Sequence, residues 1–229
     1  MPRTRRIVLP GHPHHILQRG HNRQSVFKGD GDYLQYLLDL RELKDAFAVR
    51  VHAWSLTYNE VHLLLTPGES PTNLSEFMKA LAARTTRRRN STERRTGTLW
   101  ESRFRSSPVE DNWLLPCDHY IESLPLEYGV TNALDSYPWS SFPMRMGLTD
   151  EDWLDRDRGY LALGNNEESR RSIYRTYINK PLDKDEWRRV HQAVLRFQLT
   201  GDSRFADEVE EITGIRIDNR GRGRPPKRH

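Results

Sequence analysis

The sequence predicts an α+β fold: an antiparallel sheet covered by helices, followed by a helical appendage and a basic tail. Three observations carry this. Short β-type runs and amphipathic runs of helical period alternate as strand, helix, strand, strand, helix, strand, helix through Leu124. Two of the β-type runs are separated only by Thr57–Asn59, which is hairpin spacing. Beyond Trp139 the β-type runs cease and short helical runs take over.

Taken in order, His14–Arg19 reads as a short strand, leading into a polar, glycine-containing connection through Gly31. In Tyr33–Phe47 the apolar residues Tyr33, Tyr36, Leu37, Leu40, Leu43 and Phe47 recur at helical spacing. Val49–Leu56 and Val61–Leu65 are the paired strands. Asn73 can cap a helix running to Asn90, and Thr98–Ser106 is a fourth strand. Asn112–Leu124 is helical, with Pro116 expected to distort its first turns. This order is that of a ferredoxin-like sandwich. Ser169–Ile178, Lys184–Leu199 and Ser203–Thr213 read as three further helices. The divisions expected are a sheet domain over 1–145, a helical appendage over 146–218 and a basic tail over 219–229, too polar to form a core.

Composition limits the function. No apolar run approaches the ~20 residues that span a bilayer, and no apolar stretch follows the basic start, so neither an anchor nor a secretory leader is expected. The single cysteine, Cys117, leaves no disulfide framework or Cys-rich zinc site. A cytoplasmic protein is expected. The net charge of +4 conceals a strong asymmetry. Six Lys/Arg and no acids lie in residues 1–29, and nine bases face two acids over 79–105. Six bases face Asp218 in the last fourteen residues, whereas thirteen acids face three bases over 110–168. Arg84–Arg95 alone could be a solvated helix face, but three separate basic blocks favour a polyanion such as nucleic acid, whose condensed counterions they would release.

Two places can carry chemistry. On the strand that begins at Glu60, alternation puts Glu60 and His62 on one face and Val61, Leu63 and Leu65 on the other. A carboxylate and an imidazole side by side can hold Mg²⁺ or Mn²⁺, or can simply be the polar face of an edge strand. Tyr120 lies on a helix, where a tyrosine is either a core residue or, beside a metal or base, a nucleophile. His52 reads as a structural histidine sharing a strand face with Trp54 and Leu56. His12, His14 and His15 are crowded but lack metal-ligand spacing, and His119 points about 100° away from Tyr120. Trp100 and Phe104 read as core, with Arg103 and Arg105 alternating with them and able to reach phosphate.

Over 3–142, and again in the tail, the chain resembles the REP-associated tyrosine transposases, a single-tyrosine branch of the HUH transposases. The resemblance rests on several motifs in order: the opening Pro10-Gly-His-Pro-His-His-Ile-Leu-Gln-Arg-Gly-His-Asn-Arg-Gln24, then Val51-His-Ala-Trp54 leading to Asn59-Glu-Val-His-Leu-Leu-Leu65. Gly97-Thr-Leu-Trp-Glu-Ser-Arg-Phe-Arg-Ser106, Tyr120-Ile121 and Trp139-Ser-Ser141 follow. Two positions differ from the family pattern: Glu60 stands in place of the first histidine, and Leu124 in place of a polar residue one turn after the tyrosine. The resemblance implies that Glu60 and His62 hold Mg²⁺ or Mn²⁺, and that Tyr120 attacks the scissile phosphate to form a 5′-phosphotyrosine and release a 3′-hydroxyl. The DNA would be a hairpin with a single-stranded guide at its foot, contacted by Arg84, Arg87, Arg88, Arg103 and Arg105 and, in the tail, by Arg222 and Arg224, either as an AT-hook-like minor-groove segment or through general phosphate attraction. A monomer is expected, the appendage supplying contacts that a second subunit would otherwise make. Two alternatives remain: a hairpin-binding protein that keeps the fold without cleavage, and a duplex-binding protein led by its tail.

Overall fold

A computed structural model describes residues 6–217. Arg222 and Arg224 lie outside the described residues. The chain runs β1 (His14–Arg19), α1 (Asp30–Ala46), β2 (Val49–Leu56), β3 (Glu60–Pro67), α2 (Asn73–Thr92), β4 (Arg105–Pro108) and α3 (Leu114–Glu127). Five more helices follow: α4 (Phe142–Arg145), α5 (Arg158–Leu161), α6 (Glu167–Ile178), α7 (Lys184–Arg196) and α8 (Ser203–Thr213). The sheet order is β2-β3-β1-β4, every pair antiparallel, as the ferredoxin-like reading requires.

The sheet is covered on both faces, which explains why Val61–Leu65 reads as a nearly continuous apolar run. Val61, Leu63 and Leu65 pack beneath Tyr36, Leu40 and Leu43 of α1 and Leu74, Phe77 and Leu81 of α2. Leu64 faces the other way, into a cluster with Leu114, Cys117, Tyr120, Ile121 and Leu124 of α3 and Val190 of α7. Each such buried leucine contributes about 1.5–3 kcal/mol. The face that carries Glu60 and His62 is thus the one roofed by α3 and α7.

The structure departs from the sequence reading in three details. A β-bulge at His52 shifts the β2–β3 register between Val51 and Ala53. Val49 and Val51 therefore share the α1/α2 side with Trp54 and Leu56, and His52 does not. Its ring is bonded at both nitrogens, to Thr66 Oγ1 (2.8 Å) and the Asp155 carbonyl (3.2 Å), as a structural histidine. The fourth strand begins at Arg105 rather than Thr98. Over 98–104 the pairing is reduced to an isolated bridge between Trp100 and Gly20. Arg103 consequently stands outside the strand, exposed. Thr72, not Asn73, is at the N-cap of α2, with no side-chain cap hydrogen bond. Pro116 lies in the first turn of α3, where its missing N–H breaks no helical bond.

Beyond the sheet, α4, α5 and α6 enclose a cluster of Phe142, Met146, Tyr160, Tyr174 and Ile178. They are joined to α3 by a fully buried guanidinium. Arg145 lies 3.1 Å from Asp118, 3.0 Å from Glu122 and 3.6 Å from Asp157, and donates to the His52 carbonyl at 2.7 Å. Glu122 also accepts from the hydroxyls of Ser141 and Tyr174, at 2.5 and 2.7 Å. This network fixes the helix that bears Tyr120.

Candidate active site

The β1–β3 pairing assembles the site. Leu17 lies opposite His62 and Arg19 opposite Glu60, so His15, Arg19, Glu60 and His62 point to one face. Arg19 Nε is 2.7 Å from Glu60 Oε1. The His15 and His62 rings meet diagonally, Nε2 to Nδ1, at 3.0 Å. Among the described residues no hydrogen bond reaches the buried His62 Nε2, which lies 3.5 Å from Glu60 Oε2. The Tyr128 hydroxyl, one turn beyond Leu124 on the side of α3 that opens to solvent, donates to Glu60 Oε2 at 3.3 Å.

Tyr120 hangs from α3 over these groups. Its ring is 5.5 Å from that of His15 and 5.9 Å from that of His62, both edge-on. From the opposite side α7 brings Trp187 and His191, four residues apart and stacked at 4.6 Å. His191 Nδ1 is 2.7 Å from the Tyr120 hydroxyl. Tyr120 is left 1% exposed.

Burial dominates the electrostatics. It pushes the Tyr120 phenol up, with Tyr128 and Glu60 adding to the rise. It holds His15 well below its usual value, helped by His62 and His191, and it lowers His62 and His191 too. These imidazoles are therefore neutral near pH 7. Burial also opposes the charge on Glu60, but His62, Arg19 and Tyr128 together outweigh it and bring the carboxyl to about 2.

Glu60, His62 and Tyr120 are brought together. The buried, unpartnered His62 Nε2 beside the Glu60 carboxylate fits a hard cation with two protein donors, the remaining positions going to water and phosphate oxygens. Among the described residues no group of three or more His, Cys, Asp or Glu side chains converges on such a point. Leu124 is fully buried in the α3 cluster and supplies no donor. The arginines separate into two sets. Arg84 is engaged by Glu42 at 2.8 Å and Asp39 at 3.1 Å. Arg105 donates to the Leu195 carbonyl at 2.5 Å and lies over the Phe197 ring. Arg87, Arg88 and Arg103 are exposed and, among the described residues, have no acidic partner.

Sequence reasoning missed His15, Arg19 and His191. The first two share a strand face at i, i+4, a signal that becomes meaningful only with the β1–β3 register. His191 lies on a helix joined to the sheet only through tertiary packing. Its spacing from Trp187 was the one available sign.

Among known proteins, the sequence profile of the family described as "Transposase IS200 like" matches residues 10–124. That span runs from β1 to Leu124 and includes Glu60, His62 and Tyr120. A solved structure of a REP-associated tyrosine transposase bound to a REP hairpin aligns with a TM-score of 0.57 and 17% identity, covering 68% of this chain and 98% of the other. A crystal structure of a candidate transposase from Deinococcus radiodurans R1 aligns at 24% identity over 54% of this chain and 97% of the other, with a TM-score of 0.34. No curated protein matches the chain.

Proposed function

The chain belongs to the IS200-like transposase family, and from that premise we propose that it cleaves and rejoins single-stranded DNA at the foot of a hairpin through a covalent link to Tyr120. The observation that supports this reading is the Tyr120 ring packed edge-on against that of His62, which is paired with Glu60, on the strands and helix that the family profile spans. Glu60 Oε2 and His62 Nε2 would hold Mg²⁺ or Mn²⁺, which when bound supplies a Lewis acid for a phosphate oxygen. Arg19 neutralises Glu60 and offers guanidinium donors to the same phosphate. His15 fixes the His62 ring through Nδ1 and so leaves its Nε2 facing Glu60. Tyr120 supplies the nucleophile, and its ester keeps the energy of the broken phosphodiester for rejoining. Exposed Arg87, Arg88 and Arg103 suit backbone phosphates of a hairpin, the ligand of the solved REP-associated structure. A monomer is the state proposed; among the described residues no helix is long and apolar enough to cross a membrane.

A second reading has its own support. Tyr120 is almost wholly buried, with Trp187 and His191 of α7 against it, and the site has two cation donors, as a hairpin-binding protein without cleavage would allow. The discriminating experiment incubates the protein with labelled single-stranded hairpin oligonucleotides from its own genomic neighbourhood and Mn²⁺ or Mg²⁺, resolved on denaturing gels. A metal-dependent adduct that disappears in Tyr120→Phe establishes the enzyme. Tight hairpin binding without an adduct establishes the binding protein.

A further inference from the structure

Among the described residues the Tyr120 hydroxyl has one hydrogen-bond partner, and it comes from outside the family-matched span. From this geometry we infer that His191 is a catalytic residue, the general base that takes the phenolic proton of Tyr120 as the tyrosine attacks DNA. The inference rests on the strand-transfer reading above and adds to it a residue from α7.

The His191 Nδ1 to Tyr120 hydroxyl distance of 2.7 Å is within direct proton-transfer range. In the reactive tautomer the phenol donates, with Nδ1 carrying the lone pair and Nε2 the hydrogen. The ring is held in that orientation by stacking on Trp187 at 4.6 Å and by the helix backbone of α7. Around it stand Tyr120 of α3, Arg19 and His15 of β1, and His62 and Glu60 of β3. Burial keeps His191 neutral and able to accept a proton near pH 7, whereas the buried phenol loses its proton far less readily than in water. A buried tyrosine with no base beside it would be a poor nucleophile, and here the base is already in contact.

In the attack, the Oη–H bond of Tyr120 breaks and its proton passes to His191 Nδ1. The Oη electron pair forms the bond to phosphorus, and the P–O3′ bond breaks. Its pair leaves on the 3′ oxygen, which takes a proton from solvent. In rejoining, a 3′-hydroxyl attacks the phosphotyrosine and gives up its proton to solvent. The Oη–P bond then breaks and the phenolate recovers its proton from His191.

The test measures single-turnover adduct formation on a hairpin oligonucleotide for the wild type, His191→Ala and His191→Gln, with and without added imidazole. His191→Gln offers the phenol a carbonyl acceptor of similar reach but cannot take a proton, and it keeps the test valid if the alanine variant folds poorly. Both variants are expected to bind the hairpin as the wild type does and to form adduct about 100-fold more slowly, in the usual range for loss of a general base. Imidazole should restore His191→Ala by tenfold or more, and more basic substituted imidazoles should restore it further. Rates equal to or above wild type in either variant would overturn the inference while leaving the strand-transfer reading intact, because α7 would then merely cover the tyrosine. Slow variants that imidazole leaves unchanged would overturn it as well, by reducing His191 to a positioning residue. Absence of any Tyr120-dependent adduct in the wild type would overturn both.

Discussion

Replacing Arg145 by methionine tests the network that holds the tyrosine helix. The guanidinium is 0% exposed and lies within 3.0–3.6 Å of three carboxylates, Asp118, Glu122 and Asp157. Burial raises Asp118 well above its usual value despite Arg145, with Asp157 and Glu122 adding to the rise. Asp157 is buried too, yet Arg145, Asp118 and His52 together lower it. Methionine approximates the length of the side chain but removes the positive charge, leaving Glu122 and Asp157 buried without a cation. Breaking a buried pair in this way costs about 3–5 kcal/mol. For a chain of this size, each kcal/mol moves Tm by about 2–4 °C, giving a loss of about 6–20 °C at pH 7. The stranded carboxylates acquire pKa values above those of the unfolded chain, so the variant loses stability as pH rises and recovers it as pH falls towards about 4. The assay is thermal unfolding followed by circular dichroism at pH 5 and pH 7.5, for R145M and for R145M combined with Glu122→Gln and Asp157→Asn. The triple variant should regain much of the loss. A destabilisation below 1 kcal/mol at pH 7.5, or one independent of pH, would refute the reasoning.

Other expectations can be checked in parallel. Leu124→Ala should lose about 2–5 kcal/mol in urea unfolding, because Leu124 is fully buried among Tyr120, Ile121 and Val190; a loss under 1 kcal/mol would mean that the α3 cluster can collapse around the gap. Arg87→Ala with Arg88→Ala should weaken hairpin binding and reduce the salt slope by about 0.7–0.9 for every phosphate no longer neutralised. An unchanged slope in fluorescence anisotropy would remove this helix from the interface. Glu60→His should free Arg19 and raise adduct formation with Mn²⁺; no gain would show that Glu60 is not what restrains the site.

The sheet was legible because strand alternation and helical period are local signals. Glu60 and His62 share a face in the structure as alternation requires, and the period read over Tyr33–Phe47 falls on the helix Asp30–Ala46, which buries Tyr36, Leu40 and Leu43. What escaped is non-local. The bulge at His52 reverses a face assignment and is visible only once β2 is paired with β3. The arginines at 84 and 105 read alike with those at 87 and 88, but Glu42, Asp39 and the Leu195 carbonyl claim the first pair. His191 meets a tyrosine 71 positions away. No periodicity in either segment encodes that meeting. It arises because Val190 seals α7 onto the same cluster as Tyr120 and Leu64.

The most direct measurement of the central claim is mass-spectrometric mapping of the amino acid that carries DNA after reaction with a hairpin oligonucleotide. A nuclease-trimmed 5′-phosphonucleotide on the peptide containing Tyr120 is the predicted result. The same label on Tyr128, whose hydroxyl also reaches Glu60, or on no tyrosine at all, would contradict it.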